Sequence, residues 1–217
     1  MNVAERLDPQ NAALIVVDVQ NDFCHPEGAM AEGGRNVEDA VEGVSRLERL
    51  ISAAREVKVP VVFVRTTHDE KTDSEAWLGR YGGSQKAGTT TCLTGSWGAE
   101  LYRVKPEPGE PVITKHRYDG FANTSLDDVL ESLGKRSLLF SGVSTNVCVE
   151  STLRSALNYH DYYVTLVEDC CAAYSQEEHR AAIYTVRSQF GPVLSSDDVL
   201  DQWTRKSKEL SVPARDG

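Results

Sequence analysis

The chain is predicted to be an α/β protein: a three-layer α/β/α sandwich around a mainly parallel, Rossmann-like sheet of six strands. Three observations predict this class. Short, near-continuous apolar runs rich in β-branched residues recur, as expected of strands buried on both faces of a parallel sheet. Between them lie segments whose apolar residues fall three to four positions apart, which makes one apolar helix face. The two kinds of segment alternate, and alternation of this kind implies right-handed crossovers from strand to strand.

The first run is "AALIVVDV" (12–19). It leads to "NVEDAVEGVSRLERLISAAREV", where Val37, Val41, Val44, Leu47, Ile51 and Ala54 line one helix face. The second run, "VPVVFVR" (59–65), and the third, "PVITK" (111–115), follow. "NTSLDDVLESLG" is the next helix, with Leu126, Val129, Leu130 and Leu133 apolar, Thr124 and Ser125 as candidate caps and Gly134 as the stop. The fourth run is "SLLFSGV" (137–143), and beyond Cys148 a helix face is formed by Val149, Leu153, Ala156 and Leu157. "YYVTLVED" (162–169) is the fifth run. Ser175 and Glu178 then have the spacing of a capping box for another helix. "FGPVLSS" (190–196) is a weaker sixth run because of Pro192.

Residues 66–110 break the alternation. They are polar, with glycines at 79, 82, 83, 88, 95, 98 and 109, yet they carry Trp77 and Trp97. This segment is expected to be a loop insertion serving as a lid or an oligomer contact within a single domain spanning 1–217. The charged end of the chain, 205–217, is expected to be a flexible tail. A net charge of -10 speaks against nucleic acid as a partner. No apolar run approaches the length of a membrane span, and the first residues do not read as a signal peptide, so a cytoplasmic protein is expected. Five cysteines, an odd number with no CxxC, point to reduced thiols and give no support to structural zinc.

In open parallel sheets, ligands bind beyond the carboxyl ends of the strands. The first run closes on Asp18, the third on Lys115, and the fourth leads through "GVSTN" to Cys148. Each residue has an ordinary alternative: a cap, a strand-end lysine reaching water, a small buried thiol. Together they make a nucleophile site. A helix start and a neighbouring lysine are expected to lower the pKa of Cys148. Asp18 would take the thiol proton and return it to a leaving amine. Small residues at Gly142, Ser144 and Thr145 are expected to let a substrate carbonyl approach the backbone.

These residues carry a family likeness. "LIVVDVQNDF", "GSWGAEL", "ITKHRYDGFANTSLDDVL" and "SGVSTNVCVESTLRSALNYHDYYVTLVEDCCAA" resemble the isochorismatase-like cysteine hydrolases, which include nicotinamidases, N-carbamoylsarcosine amidases and ureidoacrylate amidohydrolases. The likeness runs from about Ala12 to Trp203. It implies Asp18 as general base, Lys115 as stabiliser of the thiolate and transition state, and Cys148 as nucleophile. It also implies a cis peptide between Val143 and Ser144, an oxyanion hole of the Ser144 and Cys148 backbone amides, and a homodimer or homotetramer. The presence of Cys148 favours amide chemistry over the vinyl-ether cleavage of isochorismatases. The metal-binding Asp-x-His of nicotinamidases is not matched by "VRTTHDE"; His68 and Asp69 are read as solvated, and neither metal nor cofactor is expected.

The implied activity is cysteine-dependent hydrolysis of a small linear amide or ureido C–N bond through a thioester. A vinyl-ether hydrolase, a nicotinamidase and a non-catalytic binding protein remain alternatives. "KHRYDGF" and "TNVCVESTLR" look most like the ureidoacrylate and carbamoyl-amidase branch. Phe23 and Tyr118 are candidate substrate-pocket walls, and Asn146 is either a substrate contact or a helix cap. Cys24, the Cys170–Cys171 pair, Trp97 and the histidines at 25, 116, 160 and 179 are read as structural or incidental.

Overall fold

The structure, a computed structural model, describes residues 1–80 and 91–211. Six strands form one all-parallel sheet: β1 (Ala12–Val17), β2 (Val61–Thr66), β3 (Val112–Lys115), β4 (Ser137–Val143), β5 (Tyr163–Ala172) and β6 (Val193–Leu194). Their spatial order is β3-β2-β1-β4-β5-β6. The chain works outward from β1 to one edge, then restarts beside β1 with β4. The carboxyl ends of β1 and β4 therefore flank the switch point, where such sheets bind ligands.

Strand residues divide by the two-residue period of the pleat. Leu14, Val16, Val61, Phe63 and Leu139 join one core cluster, while Ala13, Ile15, Val62, Leu138 and Phe140 join the other. The first face is covered by α1 (Val3–Leu7), α4 (Glu38–Glu56) and α9 (Ser196–Ser211). The opposite face is covered by α6 (Leu126–Ser132), α7 (Glu150–His160) and α8 (Gln176–Gln189). Three short helices, α2 (Asn21–Cys24), α3 (Ala29–Glu32) and α5 (Glu75–Gly79), lie in the connections. Among the described residues, no helix is long and apolar enough to cross a membrane.

Several boundaries differ from expectation. β5 continues to Ala172, so Cys170 and Cys171 are buried strand residues. A register shift between Phe140 and Gly142 in β4 lets β5 stay paired that far. β6 has two residues and lies at the sheet edge, where Pro192 can precede it without breaking a ladder. Ser175 caps α8 by accepting from Glu178 N–H at 3.1 Å. The charged end is helical as far as Ser211, because α9 is tied down: buried Trp203 donates from Nε1 to Leu7 O at 2.8 Å, and Lys206 pairs with Asp8. The rest of the expected tail lies outside the described residues.

Both described ends of the 66–110 segment are anchored. Buried Gln20 donates to Thr66 O and Ala99 O and accepts from Thr66 N–H, at 2.8–2.9 Å. Asp22 accepts from Cys92 N–H at 2.6 Å and Ala29 N–H at 3.1 Å. Its carboxylate fills the space where a Cβ on Gly98 would sit, 2.1 Å from Oδ2. Gly98 of "GSWG" is thus required for close packing, while Trp97 itself is 47% exposed. These ends belong to the body of the fold; 81–90 lie outside the described residues.

Candidate active site

Asp18 follows β1 directly, in a left-handed conformation at φ 51. Its N–H donates to Val64 O at 2.7 Å, so the backbone turns while still held to the sheet. The side chain is fully buried. Lys115 ends β3, and its Nζ donates to Asp18 Oδ2 at 2.6 Å and to Arg117 O at 3.0 Å. Each side chain of this ion pair is 1% exposed. Among the described residues, Asp18 Oδ1 accepts no hydrogen bond.

Beyond β4, the Val143–Ser144 peptide is cis. Residues Thr145–Val149 form a π-helical turn that leads into α7. Cys148 therefore lies on a wide turn ahead of the regular helix, where the sequence predicts a helix start. Among the described residues, Ser144 N–H is given to no turn, loop or cap acceptor. Gly142 has φ 113, and a Cβ there would lie 2.0 Å from Val17 O. Its smallness lets β1 and β4 approach closely.

Cys148 is buried, and it interacts with both Asp18 and Lys115 by charge and by hydrogen-bonding proximity. Burial pushes its thiol pKa up; Lys115 opposes that shift and Asp18 adds to it. The expected lowering of the thiol pKa is thus overturned, because desolvation outweighs the neighbouring ammonium. Burial also raises the Asp18 carboxyl above 3.8, with Lys115 and Cys148 pulling the other way. Burial works against the Lys115 ammonium, but Asp18 and then Cys148 outweigh it and hold it above 10.5. The resting site therefore has a protonated thiol beside a carboxylate that is more basic than usual.

The candidate wall residues separate. Tyr118 packs on the cluster that contains Cys148, and Phe23 packs against the opposite cluster. Asn146 neither caps α7 nor faces a backbone N–H: its Oδ1 accepts from Ser144 Oγ at 2.7 Å. Tyr118 is part of a wall that the sequence does not announce. Trp77 meets it edge-on at 4.7 Å, Arg80 lies 3.9 Å over the Trp77 ring, and Arg80 Nε donates to Tyr118 Oη at 3.0 Å. His68 also stacks on Trp77, and its Nδ1 is 2.7 Å from Asp73 Oδ1. His68 is buried, contrary to the solvated reading, because Asp73 and Trp77 enclose it. Asp69 instead caps a turn by accepting from Lys71 and Thr72 N–H.

Tyr174, just past β5, is a further residue of this region missed in sequence. Burial raises its phenol pKa, with Cys24, Cys148, Cys92 and Asp18 adding to the effect. The strand-end rule that selects Asp18 and Lys115 would have selected Tyr174 had β5 been taken to its full length.

The Isochorismatase domain family matches residues 12–198. The ureidoacrylate amidohydrolase RutB of Methylobacterium radiotolerans is 35% identical over 197 residues, covering 85% of this chain and 76% of that protein. A cysteine hydrolase from Pseudomonas syringae pv. phaseolicola superposes with a TM-score of 0.79 at 26% identity, over 91% of this chain and 94% of its own. N-carbamoylsarcosine amidase from Thermoplasma acidophilum does so with a TM-score of 0.69 at 28% identity, over 86% and 97% of the two chains. The chain belongs to the isochorismatase-like hydrolase family.

Proposed function

We propose that the protein is a cysteine-dependent amidohydrolase that cleaves a small linear amide or a ureido C–N bond. One observation carries this reading: the buried Lys115–Asp18 pair at 2.6 Å, with the Cys148 thiol near enough to feel both charges. Its likeness to an amidohydrolase and an amidase supports the choice of bond.

The chemistry follows from which group holds the proton. Asp18 takes the thiol proton as Cys148 Sγ bonds to the substrate carbonyl carbon, and Lys115 stabilises the charge that moves between them. The tetrahedral oxyanion is held by the Ser144 and Cys148 backbone amides. Protonated Asp18 then gives its proton to the nitrogen, the C–N bond breaks, and ammonia or an amine leaves a thioester on Cys148. Water attacks the thioester carbonyl while Asp18 accepts one of its protons. The C–S bond breaks, the acid leaves, and the proton returns to sulfur. Burial lets a carboxylate serve here as base for a thiol: it raises Asp18 and keeps the reacting groups away from competing water. Phe23, Tyr118 and Asn146 are proposed to shape the pocket, Asn146 by fixing Ser144. A homodimer or homotetramer in the cytoplasm is proposed as its working form.

Ammonia release is measured across linear amides, ureides and nicotinamide, with Cys148→Ala as control. Release from a linear amide or ureide that depends on Cys148 supports the reading. Equal release by the variant, or vinyl-ether cleavage with no amide turnover, refutes it.

A further inference from the structure

We propose that the Tyr174 hydroxyl is a substrate-binding group that accepts a hydrogen bond from the N–H of the scissile amide or ureide; this rests on the amidohydrolase reading above. The backbone places it. β4 and β5 stay paired at Gly142–Cys171 and Val143–Ala172, up to the residue before Ser144. Two residues past Ala172, Tyr174 therefore emerges beside the turn that bears Cys148. The start of α8 fixes the approach, with Ser175 as its cap. His179 Nδ1, one helical turn on, lies 2.9 Å from Thr145 Oγ1, so α8 is fastened to that same turn. Tyr174 is half-buried, and among the described residues its hydroxyl makes no hydrogen bond. A half-buried phenol with no partner among the described residues, beside a nucleophile, is matched to a polar group that arrives with the ligand.

The identity of that group follows by elimination. In the tetrahedral intermediate the oxygen faces the Ser144 and Cys148 amides, and the nitrogen lone pair faces the proton that Asp18 has taken from Cys148. The nitrogen-bound hydrogens remain, and they need an acceptor. Burial keeps the Tyr174 phenol protonated, so it binds as a neutral hydroxyl and brings no charge near Asp18.

The test uses wild-type and Tyr174→Phe enzyme on a matched pair: the best amide or ureide from the ammonia-release screen, and the ester in which oxygen replaces the leaving nitrogen. The expected result is a kcat/KM about tenfold lower on the amide, the scale of one lost hydrogen bond, with the ester within about twofold of wild type. No loss on the amide, or an equal loss on both substrates, overturns the proposal. The Cys148→Ala control on the amide separates the two levels. If that variant keeps turnover, the amidohydrolase reading falls. If it is inactive while Tyr174→Phe is undiminished, only the role of Tyr174 falls.

Discussion

The ends of β4 and β5 run side by side, and each carries buried thiols: Cys148 after β4, Cys170 and Cys171 within β5. Their exposures are 8%, 2% and 6%, and burial raises the pKa of all three. By thiol chemistry alone they are equivalent, and none is ionised. Their neighbours differ. Cys171 Sγ faces Phe140 O at 3.8 Å, and Asp169 adds negative charge near the pair. Cys148 faces a buried carboxylate with an ammonium attached to it. What distinguishes the proposed nucleophile is therefore a proton acceptor within reach, together with a cation that stabilises the charge once the proton has moved.

Removing that pair should give the largest effect. Asp18→Asn and Lys115→Met are each expected to lower kcat/KM by about 10³-fold or more. Each also leaves a buried polar or charged group unpaired, which should cost about 3–5 kcal/mol in urea unfolding. Cys170→Ala and Cys171→Ala should leave turnover within about threefold, since neither thiol meets a base. Comparable losses at Cys171 and Asp18 would erase the contrast between the two strand ends.

Gly142→Ala comes next. Its Cβ would lie 2.0 Å from Val17 O at φ 113, so the β1 and β4 ends must separate. A loss of about 3 kcal/mol in stability is expected, with Asp18 displaced from Cys148 and activity lost along with it. Wild-type stability would show that the two strand ends can part without harm.

The pH profile sharpens the comparison further. Asp18 is raised above 3.8, and its ionised form is the base. Activity should therefore fall as pH drops through a midpoint above 3.8. Lys115 is held above 10.5, so its charge should cause no alkaline loss below that pH. An acid limb at or below 3.8 would exclude Asp18 as the base. The smallest effect is expected at Tyr118→Phe, which removes the acceptor for Arg80 Nε. KM should rise about threefold with kcat unchanged, in steady-state assays.

Much of this was legible in the chain itself. Burial of a strand on both faces is written locally, as in "LIVVDV", and so is the polar residue that ends it. Asp18, Lys115 and Cys148 follow from that rule together with the family likeness. What was not legible depends on distant partners. The burial of His68 needs Asp73 and Trp77, residues in a segment with no periodic pattern. The purpose of Gly142 is set by the Val17 carbonyl on another strand. The sign of the Cys148 shift depends on desolvation, which no helix-start argument contains. Asn146 reads as a cap by residue type, but the π turn points it at Ser144 instead. Tyr174 was lost because Cys170 and Cys171 do not read as strand, although β5 runs through both.

In the proposed cycle, Cys148 forms the bond to the substrate. The most direct test of that bond is the mass of the Cys148-containing peptide after acid quench during steady-state turnover, with ammonia release by Cys148→Ala measured on the same substrate. The expected result is an increase equal to the acyl group on that peptide and no turnover by the variant. An unmodified Cys148 peptide, with Cys148→Ala turning over at the wild-type rate, would contradict it.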